Sequence, residues 1–314
     1  MSLLVVLFVI IKNAIYGLSV FFTGNLTRTV DVLDVLALRF LLSFLVLFGL
    51  KLLGVVSIKV GIRDIVGRTE RKKFIKPLLL TALFEPVLYM LFETLGISMT
   101  TNVTAGVLLS LSPIFCCIAE LLFLREKASP AKLLLLVAGI VGVAYIAINT
   151  KAQNGRDSLA GILFMLLAVI CGALFCAFSR KSSKYFLPFE VTYITCMLGA
   201  LVFNLINVVR HLFRGDILQY FTPFFNGENL LGFFYLSVLS TIVATGMNNF
   251  ALAKAQISSL AAFSGVSTIV TIAAGVLLEG EKIYYFHYIG VGLILLRIVG
   301  VTWLDRKERL KSGR

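Results

Sequence analysis

Apolar stretches of roughly twenty residues, the length that carries an α-helix across a hydrocarbon core, recur along the chain with more polar intervals between them. They fall near residues 2–23, 32–50, 76–97, 103–124, 131–149, 159–178, 189–209, 229–252, 258–278 and 285–304, and predict ten transmembrane helices. The first run starts at the initial methionine without a basic segment, carries Lys12 and Asn13 at its centre and lacks a small-residue cleavage site. It is expected to stay in place as a helix and not to leave as a signal peptide. The fourth run, GVLLSLSPIFCCIAELLFLREK (106–127), interrupts itself at Ser112 and Pro113 and ends in Arg125, Glu126 and Lys127. Proline removes the hydrogen bond to the carbonyl four residues earlier, at Leu109. The fourth helix is therefore expected to kink between Leu109 and Pro113, freeing that carbonyl toward a polar cavity, and the ninth, which has Thr268 in the matching place, to be straighter.

Composition narrows the class. The 314 residues are 59% hydrophobic and 14% charged, with a mean hydropathy of +0.97, which is an all-α integral membrane protein and not a soluble domain. All five cysteines fall within apolar runs without chelating spacing and read as free thiols, so neither a disulfide framework nor a metal site is expected. The net charge of +13 would suit nucleic acid, but its placement points to the membrane. With the N-terminus inside, twenty of the 29 Lys and Arg residues lie in inner loops and the tail, six lie outside, and Lys12, Arg39 and Arg297 lie within runs. The positive-inside rule then puts both termini in the cytoplasm of a multi-pass protein of the cell membrane.

The interrupted run also exposes a repeat. TAGVLLSLSPIFCCIAELLFLREK (104–127) matches SLAAFSGVSTIVTIAAGVLLEGEK (259–282) at an offset of 155, pairing Ser112 with Ser267 and Glu126-Lys127 with Glu281-Lys282. GIVGVAY (139–145) echoes RIVGVTW (297–303), and DVLALRFLL (34–42) echoes EVTYITCML (190–198). Two five-helix units, 1–152 and 153–314, follow, and an odd helix count per unit makes the second run upside down relative to the first. Inverted-topology repeats suit a carrier whose central site opens to either side in turn.

LALRFLLSFLVLF (36–48), NVTAGVLLSLSPIF (102–115) and FLREKASPAKLLLLVAGIVGVAYI (123–146), with their second-half counterparts, resemble the EamA-type members of the drug/metabolite transporter superfamily. Tyr16-Gly17 stands where that family usually carries Trp-Gly, and the 51–76 loop is longer than usual. The resemblance implies ten helices from a duplicated unit and a central cavity lined by the first, third, fourth, sixth, eighth and ninth helices, with the fifth and tenth peripheral.

Charges inside hydrocarbon are costly, so each in-span charge is a candidate functional residue. Away from the ends of the runs these are Lys12, Arg39, Arg297, Glu85, Glu93 and Glu120, three of each sign. Lys12, with Asn13 and Tyr16 on a polar face, is expected opposite the Glu85, Tyr89 and Glu93 stripe, whose i, i+4, i+8 spacing keeps it on one helical face. In one reading Lys12 holds a substrate anion while a carboxyl takes up a proton as the site empties; in the other the charges are a static pair fixing helix register. Asn248 and Asn249 exceed what interhelical glue requires, and one of them is expected to touch substrate, with Ser112 and Ser267 in the broken fourth helix and its copy. Arg39 and Pro113 are assigned structural or gating roles. Arg297, on the peripheral tenth helix, is expected to make an interhelical contact or the contact of a homodimer, and Glu120 to pair locally at the interface with Arg125.

No Walker loop, aspartate-rich motif or His-Glu metal spacing is present, so no enzyme and no cofactor is expected. The function expected is secondary transport, as an exporter, of small polar or amphiphilic metabolites such as amino acids. The partners are a small-molecule substrate and the lipid bilayer, with no nucleic acid. The alternatives are an antiporter of nucleotide sugars or phosphorylated metabolites, a lipid flippase, and a non-transporting scaffold.

Overall fold

The computed structural model describes residues 3–56, 72–109, 111–124 and 158–280, with isolated positions between 130 and 145 and between 285 and 304. Of the expected fifth and tenth helices only those isolated positions are described, and Arg297 lies outside the described residues. Among the described residues the fold is helical throughout. Seven helices are long and apolar enough to cross a membrane: Leu3–Thr29, Val32–Leu52, Lys76–Ser98, Leu159–Ser182, Pro188–Arg214, Asn229–Lys254 and Ser259–Leu278.

Local chemistry sets several boundaries. Helix α1 (Leu3–Thr29) passes to α2 (Val32–Leu52) through Asp31, whose carboxylate accepts the Leu33 N–H at 3.0 Å and so caps α2. The third span is two helices, α3 (Lys72–Ala82) and α4 (Tyr89–Ser98), joined by a wider-wound segment at Leu83–Leu88. There Glu85 takes the extended conformation φ −140°, ψ 121°, so the continuous helix expected over 76–97 is broken at Glu85-Pro86. Pro86 accounts for it, because a residue before proline is pushed out of the helical region and proline itself donates no hydrogen bond.

The fourth span is interrupted as expected, α5 (Asn102–Leu109) giving way to α6 (Ser112–Ala119), which runs on into Glu120–Leu124. The freed Leu109 carbonyl does not stay open, however; it accepts the Ser112 hydroxyl. The ninth span is interrupted as well. It divides into α11 (Ile257–Ala262) and α12 (Ser264–Glu279) at Phe263. Both breaks carry the same tightened pattern: Leu111 N–H to Leu108 O and Ile114 N–H to Leu111 O at 3.0 and 3.1 Å, then Phe263 N–H to Leu260 O and Val266 N–H to Phe263 O at 3.1 and 3.0 Å. By that pattern Ser112 matches Ser264, not Ser267, so a tight turn without proline does the same work in the second half.

The second half comprises α7 (Leu159–Ser182), α8 (Pro188–Arg214), α9 (Gly227–Phe234), a π-helical stretch at Tyr235–Ala244, α10 (Thr245–Lys254), α11 and α12. Helix α8 opens on Pro188 with the Glu190 carboxylate accepting the Leu187 N–H at 2.9 Å, and ends at Gly215, whose φ of +76° suits glycine. Helices α2 and α8 are antiparallel: Asp34 meets Arg210 at 2.6 Å near one end, Phe40 stacks on Phe203 at 5.5 Å, and Lys51 lies over Tyr193 at 4.9 Å near the other.

Packing repeats by exchange. The third span lies on α7 as α1 lies on the eighth span, and α1 lies on α12 as the fourth span lies on α7. The pairs α2 with α8 and fourth span with ninth map onto themselves. Helix α1 sits at the centre, and Gly17 lets α12 approach it so closely that Thr271 donates to the Gly17 carbonyl at 2.9 Å.

Candidate functional site

A cavity of about 140 Å³ lies between the two halves. Helix α1 supplies Lys12, Asn13, Tyr16 and Ser19, whose spacing keeps them on one face. The broken third span supplies Glu85, Tyr89 and Glu93, and Arg39 reaches in from α2. Glu85 arrives there through its extended backbone rather than through the helical stripe the spacing suggests. The fourth and ninth spans present Leu109, Ser112 and Cys116 from one side and Leu260, Ser264 and Ser267 from the other, on both flanks of their breaks. Ser240 and Asn248 complete the wall from the eighth span.

Each charged group is held differently. Arg39, 2% exposed, donates from Nε to Thr241 Oγ1 at 2.8 Å and from Nη2 to Ser240 Oγ at 3.1 Å. These hydroxyls stand on the π-helical stretch, where Thr241 also donates to the Leu236 carbonyl five residues back at 2.7 Å. Glu93 accepts the Tyr89 hydroxyl at 2.6 Å. Tyr16 shares a hydrogen bond with Thr245 Oγ1 at 3.1 Å, and Asn13 donates to the Val9 carbonyl at 2.8 Å. Lys12 and Glu85 differ from all of these. Among the described residues neither has a hydrogen bond or ion pair; Lys12 only lies over the Tyr16 ring, 5.4 Å from its centre. They sit near enough to attract each other through space, and both face the cavity.

Asn248 lines the cavity, whereas Asn249 does not. The Asn249 side chain receives Ser179 Oγ at 2.8 Å and donates to Thr192 Oγ1 at 3.0 Å, tying α10 to α7 and α8. Consecutive helical residues diverge by about 100°, so one asparagine faces inward and its neighbour packs. Pro113 is buried in the first turn of α6, behind Ser112. Glu120 is buried and does not pair only within its own segment; it reaches Ile257 N–H at 2.9 Å and Arg180 at 3.7 Å.

Several contributors went unread in the sequence. Gly172, Phe175 and Cys176 form the α7 wall, a spacing of three and four that defines one helical face and could have flagged it. A Cβ on residue 172 would stand 3.2 Å from the Tyr89 ring, so glycine leaves room for that ring. Asp34 was not counted among the in-span charges, yet its Oδ1 contacts Asn207 at 2.9 Å, Arg210 at 2.6 Å and His211 at 2.9 Å, while His211 Nδ1 meets Asp216 at 2.8 Å. That cluster ties α2 to α8 away from the cavity.

The profile of the EamA-like transporter family matches residues 3–148 and again 159–303, one copy per half. An uncharacterized transporter, YcxC, of Bacillus subtilis (strain 168) is 31% identical over 304 residues, covering 97% of this chain and 94% of its own. An uncharacterized transporter of Archaeoglobus fulgidus is 25% identical over 237 residues, covering 74% of this chain and 80% of its own. A solved crystal structure superposes with a TM-score of 0.70 over 96% of this chain and 98% of its own at 16% identity, a likeness of fold alone.

Proposed function

The chain belongs to the EamA-like transporter family, and from that premise we propose that it is a secondary carrier that exports small zwitterionic or amphiphilic metabolites such as amino acids by alternating access. Ten helices in two oppositely oriented five-helix units, both termini in the cytoplasm of a cell-membrane protein, complete the reading. Its support is the exchange pattern of helix packing, the antiparallel α2 and α8, and the gathering of Lys51, Lys76, Arg180, Lys181, Lys184 and Lys254 toward one end against Arg28, Arg210 and Arg214 toward the other.

The observation that carries the substrate class is the unengaged pair Lys12 and Glu85 facing one small cavity. A charge buried without a partner costs from about 2.5 to 17 kcal/mol by differing scales, so such a pair is best explained by a ligand that supplies the partners. A solute with an anionic and a cationic end would do so, its carboxylate on Lys12 and its ammonium on Glu85. The volume agrees, being close to the ~150 Å³ of an apolar cavity that takes up benzene. A nucleotide sugar is far larger, and its phosphates would find Lys12 alone, since Arg39 is engaged by Ser240 and Thr241. When no substrate is bound, a proton on Glu85 neutralises the carboxylate that the substrate's cationic end has left, which couples emptying of the site to protonation.

Flux of amino acids from liposomes containing the purified protein, with and without a pH gradient, tests this. Expected are efflux of at least one zwitterion, loss of it in Lys12→Gln, and loss of gradient dependence in Glu85→Gln. Unaltered pH dependence in Glu85→Gln and Glu93→Gln removes the coupling, and no flux of any tested solute removes carriage.

A further inference from the structure

One ion-paired network joins the two halves beyond the cavity floor. Glu120, 3% exposed on the continuation of α6, accepts the Ile257 N–H at 2.9 Å and lies 3.7 Å from Arg180 Nη1. The same guanidinium donates to the Ala255 carbonyl. A carboxylate of the first half and a guanidinium of the second thus grip residues 255–257, the turn between α10 and α11. The residues flanking that turn are part of the cavity wall, among them Leu252, Ile257 and Leu260. Val5, Val9, Ala119 and Ala255 pack beside them in one buried cluster. Apolar packing, with the Glu120 and Arg180 contacts across it, therefore lies at the cavity's mouth toward the end bearing Arg180, Lys181, Lys184 and Lys254.

We infer that Glu120 and Arg180 are the gating pair of this mouth, holding the 255–257 turn against α6 when it is shut and releasing it when the cavity opens there. The turn cannot swing from α6 without breaking the Glu120 bond to Ile257. Once the mouth is open, water can solvate Glu120, Arg180 and both backbone groups, so the release is reversible. A merely structural pair would not need to grip backbone on both sides of a turn that continues directly into the cavity wall. The inference rests on the alternating-access reading, but its test needs no substrate.

Cys116 and Cys176 line the cavity above this turn and report on it. In vesicles of known orientation, a membrane-impermeant maleimide is applied at the face bearing Arg180, and labelling is read by mass spectrometry, with a Cys116→Ala/Cys176→Ala variant as background. Losing hydrogen bonds to charged groups is expected to raise the open fraction, and so the labelling rate, about tenfold or more in Glu120→Ala and Arg180→Ala. Glu120→Gln, which keeps an acceptor for Ile257 but loses the charge, is expected to fall between them and the unaltered chain. The double variant is expected to label no faster than the faster single one, as for two partners in one contact. Unchanged labelling in both alanine variants overturns the gate, as does an equal rise from the opposite face, which reports general loosening. Faster labelling from one face only, in a protein that carries no solute, would leave the gate standing and remove the transport reading instead.

Discussion

Arg39 Nε donates to Thr241 Oγ1 at 2.8 Å, joining the second span to the π-helical part of the eighth. A π-turn is rarely stable on its own account, and this one presents Ser240 and Thr241 together to a guanidinium. Thr241→Val keeps the shape and removes one acceptor from a buried cation. Hydrogen bonds to charged groups contribute roughly 1.5–3 kcal/mol each, so the variant should unfold several degrees lower in detergent. Arg39→Lys should fare no better, because one ammonium cannot reproduce the forked geometry toward both hydroxyls. Thermal melts equal to that of the unaltered protein in both variants would show the contact to be incidental.

Gly17 sits where α1 and α12 touch. A Cβ there would stand 2.5 Å from the Ser267 carbonyl oxygen and 2.8 Å from Val270 Cβ, backbone and stem atoms that cannot rotate aside. Gly17→Ala should therefore destabilise by about 1–3 kcal/mol through overpacking and push α12 from the cavity. Gly49 in α2 has nothing within 4 Å of its Cβ position, so Gly49→Ala should be neutral or stabilising. The contrast between the two melts is the measurement, since both changes add one methyl to a glycine in a helix.

These two contacts mark how far the sequence could be read. Helix positions and the duplication were legible because hydropathy over twenty residues and a pair of matching runs are strong, local signals. The cavity face of α1 was legible too, since Lys12, Asn13 and Tyr16 announce themselves by polarity within an apolar run. What failed was the local winding. Glu85-Pro86 breaks the third span and Phe263 the ninth, while the sequence reading located a break only at the more conspicuous Ser112-Pro113. Asn249 was read together with Asn248 because polarity alone does not tell which of two neighbours faces in. Gly172 and Cys176 carry no polarity signal at all, and Asp34 stands at a span edge where a carboxylate looks solvated until α8 is packed over it.

Asp31, in the turn between α1 and α2, gives a pH-dependent prediction. Burial works against its charged form, but the Leu33 N–H and the Arg210 guanidinium outweigh burial and hold its pKa below the usual carboxylate range. A group depressed in the folded state contributes stability above its unfolded pKa and loses it as pH falls through the folded value. Asp31→Asn keeps an acceptor for the α2 cap and removes the charge. The variant should melt below the unaltered protein at neutral pH and converge with it once the medium is acid enough to protonate Asp31. A gap between the two melts that stays constant from neutral to acid pH would assign the effect to the cap and not to the charge.

Asn248 and Asn249 should separate binding from stability within one turn of α10. Asn249 closes a buried relay from Ser179 to Thr192 across three helices, and Asn249→Ala leaves both hydroxyls to find other partners. Such interhelical bonds in membranes are worth about 0.6 to 2 kcal/mol, so the variant should lose thermal stability while its substrate affinity, in the fraction that remains folded, stays unchanged. Asn248 faces the cavity beside Ser240, and Asn248→Ala should do the reverse: a near-normal melt with a weaker apparent affinity for the transported solute. Measuring both quantities on both variants gives four numbers, and only the crossed pattern fits the geometry. If Asn248→Ala melts early with affinity intact, its amide is structural and the inward face of α10 contributes shape alone.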